Sequence, residues 1–202
     1  MQTIVKTGFL AASGLVIIGI LYGVVLAFGI AQAGFDRPIF DPVLWVMEML
    51  TAISALLIVI LLAAICACAE PDRRVFGMIA LSFGIVFAGL TTAVHFVALT
   101  AGRQTGFIAL EWPSTLYAVE LLAWDAFLGL ALLFAASVFN GNGRRAAIRW
   151  MLSITGALCL GGAVGPLLDN MVVQRIGILG YGVLLPITCV LLALFFRDGW
   201  VQ

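Results

Sequence analysis

Six apolar stretches dominate this sequence, and each is long enough to cross a lipid bilayer as a helix. A crossing helix needs about 20 mostly apolar residues. The stretches lie near 7–31, 43–69, 75–100, 114–139, 148–168 and 171–196, and the short segments between them hold most of the charges and prolines. The sequence therefore predicts an all-α integral membrane protein whose 202 residues form a single domain, a six-transmembrane-helix bundle.

The composition excludes two broad classes of protein. Hydrophobic residues make up 64% of the chain and charged residues 10%, whereas an ordinary soluble domain has about half and about a quarter. A soluble fold of this size cannot bury so much apolar surface. Ten basic and ten acidic residues give a net charge of zero, so the chain lacks the basic face that binds phosphates. We expect the lipid bilayer as a partner and no nucleic acid.

The basic residues predict the orientation of the spans. Three of them flank one end of the predicted bundle, namely Arg37, Arg103 and Arg175. The remaining seven flank the opposite end: Lys6, Arg73, Arg74, Arg144, Arg145, Arg149 and Arg197. Cytoplasmic loops of membrane proteins carry the excess of Lys and Arg. Both termini of this multi-pass protein are therefore predicted to be cytoplasmic.

The first span also has features of a secretory signal peptide. Lys6 precedes an apolar run, and Ala31-Gln32-Ala33 matches the small-x-small pattern of a cleavage site. The run from Gly8 to Ile30 is, however, much longer than the roughly 7–15 residues of a signal core. We expect a membrane helix here, and cleavage stays open as the alternative. The other five spans would keep their orientation in either case.

Local signals predict where helices begin and where they pack closely. Asp41-Pro42 and Trp112-Pro113-Ser114 combine a capping residue with proline, which is typical of a helix start. The pairs Gly19/Gly23 and Gly161/Gly165 have the spacing that lets membrane helices approach each other.

Several cofactor chemistries are excluded by residue type. A retinal Schiff base needs an intramembrane lysine, but Lys6 is the only lysine; a bis-histidine haem needs two histidines, and the chain has one. Cys66 and Cys68 point about 200° apart on a helix and cannot chelate one metal ion while helical. Cys159 and Cys189 lie alone in apolar runs. The sequence therefore predicts no cofactor and no metal site, because one histidine without a local ligand motif is a weak basis for one.

Four ionisable residues lie inside the predicted spans, where each is costly and usually has a partner or a function. They are Glu48, His95, Glu120 and Asp125. At 1.5 Å per residue, Glu48, His95 and Glu120 lie about 8–9 Å below the same membrane surface, and Asp125 lies about 16 Å below it. Three separate helices thus bring their ionisable groups to one level of the bilayer. We predict acid–base residues at this level.

Aromatic and amide side chains gather at the same depth. The candidate ligand-binding residues are Trp45, Trp112, Tyr117, Trp124, Arg175 and Tyr181. On the fourth helix, Tyr117, Glu120 and Trp124 share one face, whereas Asp125 points about 140° away from Glu120. These patterns predict a polar and aromatic pocket that opens toward the outer surface. The apolar segment Gly102–Glu111 would cover it.

These residues leave several functions open. An enzyme that isomerises or cyclises a small hydrophobic molecule would use Glu120 as acid, His95 or Glu48 as base, and Trp124 and Trp45 to stabilise a cation. A proton-coupled transporter would use Asp125 and Glu120 as proton sites. A non-enzymatic accessory or ligand-binding subunit is the third class, in which Glu48, His95, Glu120 and Arg175 form a structural hydrogen-bonded cluster. Assembly into a homo-oligomer is compatible with each class.

Overall fold

Six membrane-length helices account for nearly all of the part of the chain that the structure describes. The computed structural model describes residues 2–34, 37, 39–105 and 112–198. The helices are α1 (Gln2–Ala33), α2 (Val43–Ala67), α3 (Arg74–Gly102), α4 (Thr115–Ala136), α5 (Arg144–Leu167) and α6 (Met171–Arg197). Each is long and apolar enough to cross a membrane. The predicted all-α bundle and its six spans are confirmed.

The helices run alternately up and down and close into a ring. Each helix has its main contacts with the helix before it and the helix after it in the chain, and α6 packs against α1. This arrangement follows from the short connections, which leave consecutive helices as antiparallel neighbours. We call the end at which α2, α4 and α6 begin the polar end, and the opposite end the basic end.

Apolar side chains fill the half of the bundle nearer the basic end. Phe87, Leu128, Ile148, Leu192 and Phe196 are all fully buried there or at the middle of the bundle. The outward faces are apolar as well, with large exposed residues such as Ile17, Val24, Leu56 and Ile85. A helix that is apolar on all sides is typical of a bundle surrounded by lipid. The chain is therefore a multi-pass membrane protein.

Three helices contain a π-helical segment, and all three segments lie toward the polar end or the middle of their helix. These segments are Ala98–Gly102 in α3, Leu122–Phe127 in α4 and Leu179–Leu184 in α6. A π-helical turn is rare and is found frequently at functional sites. The sequence pattern gives no indication of these segments.

Helices α2 and α4 begin near the two predicted positions, and they are capped in different ways. Ser114 caps α4 as predicted, because its hydroxyl accepts a hydrogen bond from the backbone N–H of Tyr117 at 3.2 Å. At α2 the residue that precedes the first helical residue is Pro42, which makes no side-chain cap. The carboxylate of Asp41 accepts a hydrogen bond from the backbone N–H of Trp45 in the first turn of α2, and it also binds Arg103.

The predicted glycine pairs are only partly close-packing positions. Gly165 meets the backbone of Gln174 so closely that a Cβ atom would lie 2.4 Å from its nitrogen. Gly23 faces open space, so the prediction for that glycine was wrong. The tightest approach of α5 to α6 also uses Gly162 and Gly177, which the spacing rule does not select.

Candidate functional site

A buried histidine–carboxylate pair joins α3 to α4 at the polar end. Nε2 of His95 lies 2.9 Å from Oε1 of Glu120, and both side chains are almost completely buried. The same Oε1 accepts a hydrogen bond from the indole N–H of Trp124, one turn further along α4. Oε1 of Glu120 acts as a hydrogen-bond acceptor toward Trp124, and its other neighbour is Nε2 of His95. The geometry therefore favours the histidine tautomer in which Nε2 carries the proton and donates a hydrogen bond to Oε1. Two of the predicted acid–base residues therefore meet directly.

Two further aromatic rings pack against Trp124, the residue that donates to Glu120. The ring of Trp124 lies 4.9 Å from the ring of Phe87 in an edge-on arrangement, and 5.1 Å from the ring of Tyr181. These distances are typical of favourable aromatic pairs. The rings come from α3, α4 and α6, so three helices build the wall.

Glu48 belongs to a separate ion-pair network centred on Arg103. Oε2 of buried Glu48 accepts a hydrogen bond from Nη1 of Arg103 at 3.1 Å. The guanidinium also binds Asp41 in a bidentate manner, at 2.8 and 2.9 Å, and donates to the backbone carbonyl of Ala98. Hydrogen bonds from Arg103 hold the pKa of Asp41 below its usual value, and the bond to Asp41 raises the pKa of Arg103.

Asp125 faces a third region, between α4, α5 and α6. It is fully buried, and its Oδ2 accepts a hydrogen bond from Nε2 of Gln174 at 3.3 Å. The same amide lies 3.1 Å from the phenol oxygen of Tyr181. Gly162 and Gly177 lie against Oδ1, and a Cβ atom at Gly177 would be 2.2 Å from that oxygen. As predicted from the helical angle, Asp125 and Glu120 face different neighbours.

The polar atoms without a partner at this end are all potential hydrogen-bond acceptors. Within the described part of the chain, buried and unpartnered atoms here are Oγ1 of Thr91, Nδ1 of His95, Oε2 of Glu120 and Oδ1 of Asp125. In contrast, donors such as the Trp124 indole, the Gln174 amide and the Arg103 guanidinium are engaged. A buried acceptor without a donor is costly. The cluster is therefore incomplete as a purely structural network.

The remaining predicted ligand-binding residues lie at varying distances from the pair. Tyr117 is half-buried one turn before Glu120. Trp45 is 46% exposed on the outside of α2, and Arg175 is exposed on α6. Trp112 donates its indole N–H to Asp169 at 3.2 Å, which ties the start of α4 to the α5–α6 connection. Neither Trp45 nor Arg175 is brought to the pair, so the predicted four-residue cluster that included Arg175 does not form.

The remaining predictions concern the segment that would cover the pocket, the position of Glu48 and a metal site. The covering segment falls mostly in residues 106–111, which lie outside the described residues. Glu48 binds Arg103 and does not converge on His95 and Glu120. No group of three or more His, Cys, Asp or Glu residues suited to a metal ion is found in the described ranges.

Sequence reasoning missed three residues that contribute to this region. Tyr22 on α1 lies within electrostatic range of Glu120, Tyr117 and Glu48. In the sequence, Arg103 is only a loop charge and Phe87 is only part of an apolar run. A usable signal existed for Arg103, because a basic residue two turns after His95 on one helix lies at the same end of the bundle.

A groove lies between the end of α3 and the start of α4. Its volume is about 580 Å³, and it is lined by Val97, Pro113, Ser114, Thr115, Leu116 and Val119. Val97 and Val119 are close in sequence to His95 and Glu120, respectively. The groove therefore lies on the outer side of the helix pair that carries the two acid–base residues.

Comparison of the chain with protein-family models, with curated proteins and with solved structures finds no match.

Proposed function

We propose that the polar end binds a small hydrophobic molecule from the bilayer and transforms it by proton transfer, as a double-bond isomerase or cyclase does. The observation that carries this proposal is the buried His95–Glu120 pair. Each partner has one engaged atom and one unpartnered atom. A single pair thus offers a proton at one atom and accepts a proton at another, which is what isomerisation of an alkene requires.

The chemical step needs no co-reactant. A proton on Oε2 of Glu120 adds to one carbon of a C=C bond and leaves a carbocation. Nδ1 of His95 removes a proton from a neighbouring carbon, so that the double bond forms at a new place. The pair then holds the same number of protons as before. It is reset when Nδ1 releases its proton to the solvent and Oε2 takes one up, an exchange that also brings solvent deuterium to Oε2.

The surroundings of the pair suit a cationic intermediate. Trp124 places its aromatic ring beside Glu120, and Tyr181 packs against Trp124; aromatic faces attract cations. The closeness of Phe87 and other apolar residues excludes water, which would otherwise capture a carbocation. The groove between α3 and α4 supports access from the lipid, since its volume falls in the range of about 300–1,000 Å³ usual for ligand sites.

The position of Asp125 favours this function over proton-coupled transport. Asp125 is enclosed by Gly162, Gly177 and Gln174 and is fully buried. Nearer the basic end, the buried polar residues Thr155 and Thr188 bond only to the backbone of their own helix. A transporter needs groups that pass a proton onward to the far side of the membrane, and these threonines do not provide such groups.

The test is uptake of solvent deuterium into an alkene. The purified protein in detergent is incubated in D₂O with squalene, whose trisubstituted double bonds form tertiary cations on protonation, and with a membrane lipid extract. Mass spectrometry follows the incorporation of deuterium into carbon positions. We expect the Glu120→Gln variant to lose about 10²–10⁴-fold in rate, the usual contribution of a general acid or base.

Glu70→Gln is the matched control variant. Glu70 is a carboxylate at the basic end that bonds to Arg145 at 3.3 Å, far from the pair. Its neutralisation should leave the rate unchanged. Equal incorporation by the wild type and by Glu120→Gln would overturn the proposal.

A further inference from the structure

The polar end has more hydrogen-bond acceptors than donors, and this imbalance specifies the ligand. Its buried atoms without a partner, in the ranges that the structure describes, include Oε2 of Glu120, Nδ1 of His95 and Oγ1 of Thr91. Thr91 lies one turn below His95 on α3 and is fully buried. Buried polar atoms are normally paired. A ligand that supplies N–H or O–H donors would complete this network.

The charge of the cluster points in the same direction. Asp41 and Glu48 share one guanidinium, that of Arg103. Glu120 is paired with His95. The Arg103 network therefore has two carboxylates for one guanidinium, which leaves one negative charge in excess at the end of the bundle that also holds the His95–Glu120 pair. A negative charge in surroundings of low dielectric constant favours a cationic ligand.

The aromatic wall suits a cation as well. Trp124 contacts Glu120 through its N–H and lies 5.1 Å from Tyr181 and 4.9 Å from Phe87, measured between ring centroids. A cation that binds the free oxygen of Glu120 is thus close to the ring of Trp124. Cation–π attraction is strongest for tryptophan and grows when the cation is desolvated.

We infer that the polar end binds hydrophobic amines, as protonated ammonium groups that donate a hydrogen bond to Oε2 of Glu120. This inference rests on the proposed function, because it concerns the same pair and the same aromatic wall. The ammonium group occupies the place of the carbocation, and the apolar tail of the amine extends into the groove between α3 and α4. A substrate that carries an amine, or an amine that inhibits the reaction, fits this site.

The experiment compares probes of equal chain length by the shift in melting temperature of the full-length protein in detergent. The probes are dodecylamine, 1-dodecanol and dodecyltrimethylammonium. The amine offers charge and N–H donors, the alcohol offers a donor without charge, and the quaternary ion offers charge without donors. We expect an apparent affinity for the amine at least about tenfold higher than that for the alcohol, with the quaternary ion between them.

Variants connect the effect to the site. Glu120→Gln should abolish the preference for the amine over the alcohol, whereas Glu70→Gln should retain it. Equal shifts from the amine and the alcohol on the wild type would overturn the inference, a comparison that holds even where Glu120→Gln fails to fold. Loss of the amine preference together with retained deuterium uptake by squalene would reject the amine and leave the proposed function standing. Absence of both the amine preference and the deuterium uptake would reject the inference and the proposed function together.

Discussion

Asp125 illustrates, at the scale of single residues, how a carboxylate is accommodated near the middle of a membrane protein. One of its oxygens accepts from Gln174, and the other lies against the backbones of Gly162 and Gly177. Glycine is required here because a side chain on either residue would occupy the space of the carboxylate. The hydrogen bonds of Gln174 then extend to Tyr181, whose ring lies 5.1 Å from that of Trp124 in a tilted arrangement. Asp125 is thus a positioning residue for the aromatic wall.

The first prediction concerns the contact between Gly177 and Asp125. Gly177→Ala should lower the melting temperature, because the new Cβ would lie 2.2 Å from Oδ1. Overpacking of this kind costs about 1–3 kcal/mol. Gly23→Ala is the matched control, since Gly23 faces open space and alanine favours a helix by up to about 1 kcal/mol.

A double variant separates the clash from other effects of the alanine. In Gly177→Ala combined with Asp125→Ala, the two substitutions should be strongly non-additive, because the carboxylate that clashes has been removed. Additive losses in melting temperature would show that the contact is not the cause.

At the scale of whole helices, the π-helical segments determine which side chains meet. The segment Leu122–Phe127 contains Trp124 and Asp125, and Leu179–Leu184 contains Tyr181. The third segment, Ala98–Gly102, ends just before Arg103, and the carbonyl of Ala98 accepts from that arginine. A π-helical turn is wider than an α-helical turn, so the residues after it are rotated relative to a regular helix. All three segments therefore contribute to the arrangement at the polar end.

The second prediction concerns the ion pair that ties the start of α2 to the end of α3. The pKa of Asp41 is lowered by its hydrogen bonds from Arg103. A lowered pKa means that the pair stabilises the fold above the usual aspartate value of about 3.9, and that this contribution is lost as the pH falls through the folded-state pKa. The Asp41 side chain is 49% exposed, so the effect is at most about 1 kcal/mol.

The measurement compares the melting temperatures of the wild type and Asp41→Asn in one detergent. The pH is varied over about four units, from about 3 to about 7, which includes the usual aspartate pKa. The wild type should be the more stable protein at neutral pH, and the difference should shrink toward zero in acid. Asp72→Asn is the control, because Asp72 is exposed and its ion pair with Arg73 is a long surface contact of 3.9 Å. A difference for Asp41→Asn that does not change with pH would contradict the ion pair.

At the scale of the whole molecule, the basic residues lie at the two ends of the bundle, and the apolar helices separate the two groups. Arg73 and Arg74 lie at the start of α3, and Arg144 and Arg145 at the start of α5, all at the basic end. Arg103 and exposed Arg175 lie at the polar end. An even number of spans brings both termini to the same side. The positive-inside rule then predicts that the basic end is cytoplasmic.

The third prediction tests this orientation. Arg37→Cys and Asn142→Cys each place a thiol at an exposed position, the first at the polar end and the second in the α4–α5 connection. A membrane-impermeant maleimide applied to intact cells should label the first variant only, and both after the cells are opened. The unaltered protein, whose four cysteines are half-buried or buried, gives the background. The reverse pattern of labelling would show the opposite orientation.

The sequence by itself determined the six spans, their order and the level at which ionisable groups lie. Hydrophobic length and the rise per residue fix these properties, because each depends only on the helix in question. The shared depth of His95 and Glu120 was therefore predictable, as was the different direction of Asp125.

The choice of partners was decided only by the tertiary structure. Glu48 pairs with Arg103, Gln174 binds Asp125, and Gly177 accommodates Asp125. Each of these contacts depends on the rotation of one helix against another. That rotation depends on π-helical turns, which shift the register by less than the uncertainty of a sequence-based helix boundary, and on close packing between helices that are distant in the chain.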